Sequence, residues 1–260
     1  MTTPTVKSIV SRDNPLLVRL RKLGRDPVAY RKLGELWIEG DHLCRAFLQR
    51  GGVPLQAVIS EEGWASPLRD LAMKAPSVSV LPAALLGDIS TLESPAAIGF
   101  VVPWIGTADL RPGAASVVLD RLQDAGNVGN VLRSAAAFGF TQVVALKGTA
   151  GLWSPKVIRA GMGAHFGLFL VEGVEAAALG ALTMPMLATS SHAARAIHEV
   201  SLPWPCAWVL GHEGEGVSAA LQAQCALTLR IPQPGGEESL NVGAATAVCM
   251  YESARQRLMH

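Results

Sequence analysis

Charge is what this chain has least of. Only 17% of its 260 residues are Asp, Glu, Lys or Arg, against about 25% in an average soluble domain. Neither sign dominates, with Lys+Arg 22 against Asp+Glu 21. That excludes a histone-like polycation and an acidic tail, and 50% hydrophobic residues exclude a disordered chain. A soluble chain so poor in charge is expected to cover apolar surface in a homodimer or other homo-oligomer. Cysteine is also sparse. Cys44, Cys206, Cys225 and Cys249 form no CxxC pair, which excludes a disulfide framework and a zinc set and suits buried thiols in a reducing cytosol. His42, His165, His192, His198, His212 and His260 show no ligand spacing, so no metal is expected.

Long apolar runs are missing too. The uncharged stretch 176–194 contains Thr183, Pro185, Thr189, Ser190, Ser191 and His192, which fits a helix, turn and strand better than a membrane span. The opening Met1-Thr-Thr-Pro-Thr-Val-Lys7 has no apolar core of a signal peptide. The expectation is a cytoplasmic protein with no membrane partner. No internal repeat or low-complexity tract appears.

What is present is an uneven distribution of charge and a regular alternation of elements. Within residues 1–35, Lys7, Arg12, Arg19, Arg21, Lys22, Arg25, Arg31 and Lys32 face only Asp13, Asp26 and Glu35, a basic front of the kind that attracts phosphates. Asn14-Pro15 opens a helix, with Leu16, Leu17, Leu20 and Leu23 at helical spacing and Gly24 as its stop. Strands at 36–39, 57–60, 78–81 and 98–103 alternate with helices at 41–49 and 68–74, forming a small α/β domain over 1–103. Gly106, Pro112 and Gly113 mark 104–115 as a linker. A second α/β domain spans 116–260. It has strands at 116–120, 141–146, 166–171, 186–188, 207–211 and 227–231. Helices are expected at 130–138, 155–160, 175–182, 218–224 and 241–257. Short, uniformly apolar strands between helices imply a mainly parallel sheet covered on both faces.

Three strand–loop–helix junctions of the second domain carry polar, glycine-rich loops. The first is Asp124-Ala-Gly-Asn127-Val-Gly129-Asn-Val-Leu-Arg133, a helix entrance suited to an anion. If Asn127 still lies in the loop, it and Arg133 can converge on one ligand; if both are helical they need not share a face. The second is Leu210-Gly211-His212-Glu213-Gly214-Glu215-Gly216-Val-Ser218, where glycines admit close approach of a ligand and Ser218 is a candidate cap. Its glutamates repel phosphate and suit hydroxyls, amines or a cationic cofactor. The third is Ile231-Pro232-Gln233-Pro-Gly-Gly-Glu-Glu238-Ser239-Leu240-Asn241, in which Ser239 or Asn241 starts the last helix. In a parallel sheet such loops gather at the carboxyl ends of the strands, where α/β folds bind ligands.

These segments resemble the three motifs of the SpoU/TrmH family of RNA ribose 2′-O-methyltransferases. The matches are Asn127-x-Gly129-x-x-x-Arg133, Leu210-Gly211-x-Glu213-Gly214-x-Gly216, and Ile231-Pro232 with Ser239-Leu240-Asn241. The bridging stretch from Ser154 to Ala164 fits as well. Ser11-Arg-Asp-Asn14-Pro15 and Trp37-Ile38-Glu39-Gly40 are similar to the family's N-terminal RNA-binding domain. Ala125, Gln233 and Gly243 stand where the family commonly has proline, methionine and serine.

The resemblance implies a C-terminal trefoil knot, against the general rule that chains do not thread loops, and an active site shared across a homodimer. It implies S-adenosyl-L-methionine held by Leu210, Gly211, Gly216, Ile231, Gln233 and Leu240. It further implies Arg133 as the group acting on the 2′-hydroxyl, with Asn127, Glu213, Ser239 and Asn241 positioning substrate and loops. A guanidinium stays protonated, so Arg133 is read as a phosphate clamp and oxyanion stabiliser. Arg12, Arg19, Arg21, Lys22, Arg31 and Lys32 become candidate RNA contacts, and the added N-terminal domain favours ribosomal over transfer RNA. A Rossmann-type methyltransferase is the weaker reading, because the strand after Val117-Val-Leu-Asp120 ends in Lys147 rather than an acid. A dinucleotide enzyme lacks its GxGxxG unit. A non-enzymatic RNA-binding protein would have no use for all five candidate catalytic residues.

Overall fold

The computed structural model describes residues 4–236 and 239–259. Met1–Thr3 of the opening segment, Glu237 and Glu238 of the third glycine-rich segment, and His260 lie outside the described residues. In chain order the elements are β1 (Thr5–Ser8), α1 (Pro15–Arg25), α2 (Ala29–Leu33), β2 (Glu35–Glu39), α3 (Asp41–Gln49), β3 (Gln56–Ser60), α4 (Glu61–Trp64), α5 (Leu68–Ala72), β4 (Ser77–Leu81), α6 (Ala83–Ile89) and β5 (Ile98–Pro103). There follow β6 (Ser116–Leu119), α7 (Ala125–Ala137), β7 (Gln142–Leu146), α8 (Pro155–Gly161), β8 (Phe169–Val174), β9 (Met186–Thr189), β10 (Ala207–Leu210), α9 (Ala219–Gln222), β11 (Leu227–Leu229) and α10 (Val242–Leu258). The chain forms two compact units, 1–106 with 153–166, and 107–152 with 167–260. Among the described residues no helix is long and apolar enough to cross a membrane.

The first unit is built on a five-stranded sheet in the order β1-β4-β3-β5-β2, in which β5 runs antiparallel to β3 and β2. Asn14 opens α1 by accepting the Leu16 N–H at 3.0 Å, with Pro15 in the first turn. Leu17, Leu20 and Leu23 face the core beside Ile38, Ile59 and Phe100. Gly24 does not end the helix as read from the sequence. It packs so tightly that a Cβ would meet the Ile89 carbonyl at 3.1 Å. The assignment of 116–260 to one continuous domain also needs correction. Ile158 of α8 is buried in the core of the first unit, where Trp153 and Phe166 pack as well.

The second unit carries a six-stranded sheet in the order β11-β9-β10-β6-β7-β8, parallel throughout. Alternate residues serve its two faces. Val118, Val144, Leu146, Ala207 and Val209 join Leu179 and Leu221 in one cluster. On β10, Trp208 is fully buried and its indole N–H donates to Ser253 Oγ of α10 at 2.9 Å. Each such buried large aliphatic or aromatic side chain contributes roughly 1.5–3 kcal/mol. The buried Gln142 is fully engaged, accepting from Arg111 N–H and donating to Arg111 O and Ser116 Oγ. Residues 176–181 form a 3-10 helix rather than the expected α-helix, and β8 begins at Phe169 after a 3-10 turn over 164–167. Cys44, Cys206 and Cys249 are buried free thiols and Cys225 is half-buried; burial pushes the Cys225 thiol up to about 11.

Candidate active site

The segments that follow β9, β10 and β11 border a cavity of about 630 Å³. Gly211, Glu213, Glu215, Gly216, Ile231, Gln233, Ser239, Leu240 and Asn241 are among the residues lining it. The glycines are dictated by contact. A Cβ on Gly211 would lie 1.9 Å from the Gly216 carbonyl carbon and 2.0 Å from the Val217 nitrogen. The loop returns on itself there, with reciprocal backbone bonds between His212 and Gly216. His212 is a loop residue whose Nδ1 accepts the Gly214 N–H.

A chain of side-chain hydrogen bonds joins all three glycine-rich segments. Glu213 Oε1 accepts from the Asp124 N–H at 3.1 Å and from Asn127 Nδ2 at 3.2 Å, and its Oε2 accepts from the Gln123 N–H at 3.3 Å. Asn127 Oδ1 in turn accepts from Asn241 Nδ2 at 3.0 Å. Burial raises the Glu213 carboxyl. Hydrogen bonds from its own N–H, the Asn127 amide and the Asp124 and Gln123 N–H groups outweigh that and hold it below the ordinary carboxylate range.

Both helices entering the site are capped by their own motif residues. Asp124 Oδ1 accepts the Asn127 N–H at 2.7 Å and starts α7. Asn241 Oδ1 accepts the N–H groups of Gly243 and Ala244 and starts α10. Of the two candidates for that start, Asn241 is the cap and Ser239 lines the cavity. Ser218 occupies the N-cap position of α9 without a side-chain cap bond.

The structure separates several of the residues that the sequence groups together. Because α7 begins at Ala125, Asn127 is helical. Arg133 follows it by six residues, roughly 240° around the helix, so the two do not converge within one chain. Asn127 is buried behind Glu213, while Arg133 is exposed and does not line the cavity. Leu210 does not line it either; it is buried and its carbonyl is taken by the Asp120 N–H at 2.7 Å. In the first unit, four of the candidate RNA contacts already have partners. Arg12 pairs with Asp88 at 2.7 Å, Arg19 with Glu35 at 3.3 Å, and Arg21 donates to the Arg12 carbonyl. Arg31 donates through Nε to the Tyr30 hydroxyl at 3.1 Å and lies over that ring, and Lys22 and Lys32 are exposed. Thr189, Ser190, Ser191 and His192 line the cavity and were missed. Their signal was positional, since they follow a strand of the same parallel sheet. Among the described residues no group of three or more His, Cys, Asp or Glu is placed to hold a metal ion.

Comparison with known proteins agrees with this geometry. The family model described as the SpoU rRNA Methylase family matches residues 114–251. An uncharacterized tRNA/rRNA methyltransferase of Synechocystis is 30% identical, with 98% of this chain and 96% of the relative covered. A crystal structure of an RNA 2′-O ribose methyltransferase superposes with a TM-score of 0.81 at 30% identity, covering 97% of this chain and 100% of that one. The SpoU methyltransferase AviRb of Streptomyces viridochromogenes, solved in complex with AdoMet, shares the fold at a TM-score of 0.84 and 23% identity, with 94% and 98% covered. The matched segment takes in more than half of the chain and all three glycine-rich junctions, and the chain therefore belongs to the SpoU rRNA methylase family.

Proposed function

We propose that this protein transfers a methyl group from S-adenosylmethionine to a ribose 2′-hydroxyl of RNA, with ribosomal RNA preferred over transfer RNA, and that it does so as a homodimer. The observation that carries the reading is the Glu213–Asn127–Asn241 chain, which ties the first segment to cavity-lining residues of the other two.

The residues present fit the cofactor. Gln233 lines the cavity, and its Oε1 is buried with no hydrogen-bond partner among the described residues, an acceptor suited to an adenine amino group. Gly211 and Gly216 offer bare backbone. When bound, the cofactor supplies an electrophilic methyl group on a sulfonium, and the Glu213 carboxylate favours that positive charge. Glu213, kept ionised by its donors, also fixes the Asn127 amide. Ser239 and Asn241, at the rim beside the third loop, position the incoming hydroxyl.

Arg133 is the group that stabilises the developing alkoxide and binds the neighbouring phosphate. It shares the exposed side of α7 with Ala136 and Ala137, at helical spacing. Exposed Val248 and Tyr251 lie along α10, which packs on α7. Covering this apolar strip with a second copy supports the homodimer and brings Arg133 to the partner's cavity.

The test is methyl transfer from labelled S-adenosylmethionine to ribosomal and transfer RNA, followed by nucleoside analysis. The expected product is a 2′-O-methylnucleoside, formed on ribosomal RNA. Arg133→Ala lowers turnover by about 10²–10³-fold, as for loss of one oxyanion donor, while cofactor affinity is kept. Methylation of a base atom, or a near-wild-type rate in that variant, overturns the reading.

A further inference from the structure

The segment that follows β6 grips the cavity loop almost residue by residue. Asp120, 4% exposed, pins both ends of the loop. Its N–H donates to the Leu210 carbonyl at 2.7 Å, and its Oδ2 accepts the Ser218 N–H at 2.8 Å. Gln123 and Asp124 hold Glu213 through their N–H groups. Between these anchors the loop carries Glu215, and its Oε2 accepts from Arg121 Nη1 at 2.7 Å. The same guanidinium donates through Nε to Asp120 Oδ1 at 3.1 Å.

Arg121 stands in a backbone conformation that disfavours it. Its φ is 61°, one of two positive values at non-glycine residues among those described. Glycine adopts this region without penalty and an L-side chain does not. Such strain persists where the surroundings hold the residue in place, and here they do. The Arg121 N–H donates to Thr149 Oγ1 at 3.2 Å, and the side-chain stem passes over Gly148, where a Cβ would lie 3.2 Å from Arg121 Cγ.

The pair is a poor device for global stability. Arg121 is 36% and Glu215 66% exposed, and ion pairs in water contribute little. Its effect is local, on the loop that Glu215 belongs to. We infer that Arg121 is a positioning residue: it latches Glu215 to the buried Asp120 and thereby holds the 211–217 loop in the shape that the cavity needs. The inference rests on the cavity being the S-adenosylmethionine site.

The test uses the full chain with Arg121→Gly, Glu215→Gln and the double variant. Glycine relieves the strain at φ 61°, which offsets the lost contact to Asp120, and Glu215→Gln alters one exposed carboxylate, so the melting temperature changes little. Two readouts are taken: amide hydrogen exchange of 211–217 without ligand, and calorimetric titration with S-adenosylhomocysteine. Each single variant is expected to speed loop exchange and to raise Kd roughly 3–5-fold, the upper end for a partly exposed ion pair. The double variant is no worse than either single one, and Arg121→Lys restores part of the loss. Added salt weakens binding in the wild type more than in Arg121→Gly. Loop exchange and Kd unchanged in both single variants, or fully additive effects in the double, overturn the latch. If Arg121→Gly misfolds, Glu215→Gln decides alone. A wild-type chain that does not bind S-adenosylhomocysteine overturns the cofactor reading instead, and loop exchange then judges the latch by itself.

Discussion

The Asn241 side-chain amide donates to Asn127 Oδ1 across 3.0 Å, although 114 residues separate the two. Each also caps or enters a helix, so the bond fixes the start of α10 against the first turn of α7. Asn127 spends its own amide on Glu213. Asn127→Asp keeps the acceptor for Asn241 but replaces the Glu213 donor by a second carboxylate. Methyl transfer is expected to fall by an order of magnitude or more. Loss of a hydrogen bond to a charged group and the new repulsion lower stability by about 1.5–3 kcal/mol. Asn127→Ala removes both bonds without the repulsion and should be less destabilising. Denaturant melts of the two variants, run beside single-turnover rates, separate the terms.

Much of this site is legible in the sequence, and the parts that are not have physical reasons. Short apolar strands announce the parallel sheet because strands buried on both faces need no alternation. Strand β1 gives no such sign: all four of its residues are exposed at a sheet edge. The start of α7 is disguised by Gly126, Gly129 and Asn130, poor helix formers that the Asp124 cap overcomes. Nothing local shows that Trp153, Ile158 and Phe166 pack with the first unit, since α8 packs on α1 and β2 and Phe166 meets the Phe47 ring, all more than a hundred residues earlier. The separate lives of Asn127 and Arg133 follow from one helical period. A motif states which residues matter together, but not whether one chain unites them.

Gly211 offers a direct test of close approach. The hydrogen it carries faces the backbone of Gly216 and Val217 at 1.9–2.0 Å from an ideal Cβ, and backbone atoms of a returned loop cannot retreat. Gly211→Ala is therefore expected to open the loop and abolish binding of S-adenosylhomocysteine. The cost is about 1–3 kcal/mol, in the range for an overpacked site. Gly214→Ala is the control for packing within the loop, because a Cβ there meets only the His212 ring at 3.8 Å; its melting temperature should match the wild type.

The basic front divides into residues that hold the first unit together and residues that face water. Arg19 pairs with the mostly buried Glu35, so Arg19→Ala is expected to cost about 1 kcal/mol of stability and to leave the salt dependence of RNA binding alone. Lys22 and Lys32 are exposed. Removing both should weaken RNA binding and reduce the slope of log affinity against log salt by roughly 0.7–0.9 per lost phosphate contact. Filter binding across a salt series, with melting curves of the same variants, distinguishes the two classes.

Acid should reveal the two carboxylates that hold the cavity loop. Burial raises Asp120, but the Ser218 N–H and the Arg121 guanidinium outweigh it and hold its carboxyl below the ordinary value; Glu213 is depressed by its own donors. A carboxyl whose pKa is lower in the folded than in the unfolded chain binds fewer protons when folded. The stabilisation is therefore fully present above the unfolded value, about 4, and is lost as pH falls through the lower folded value. Melting temperature is expected to be insensitive to these groups from neutral pH down to about 5 and to drop below it. Asp120→Asn and Glu213→Gln start lower at neutral pH, because each removes an acceptor, and then show a shallower acid decline. A decline as steep in both variants as in the wild type would assign the acid sensitivity to other carboxylates.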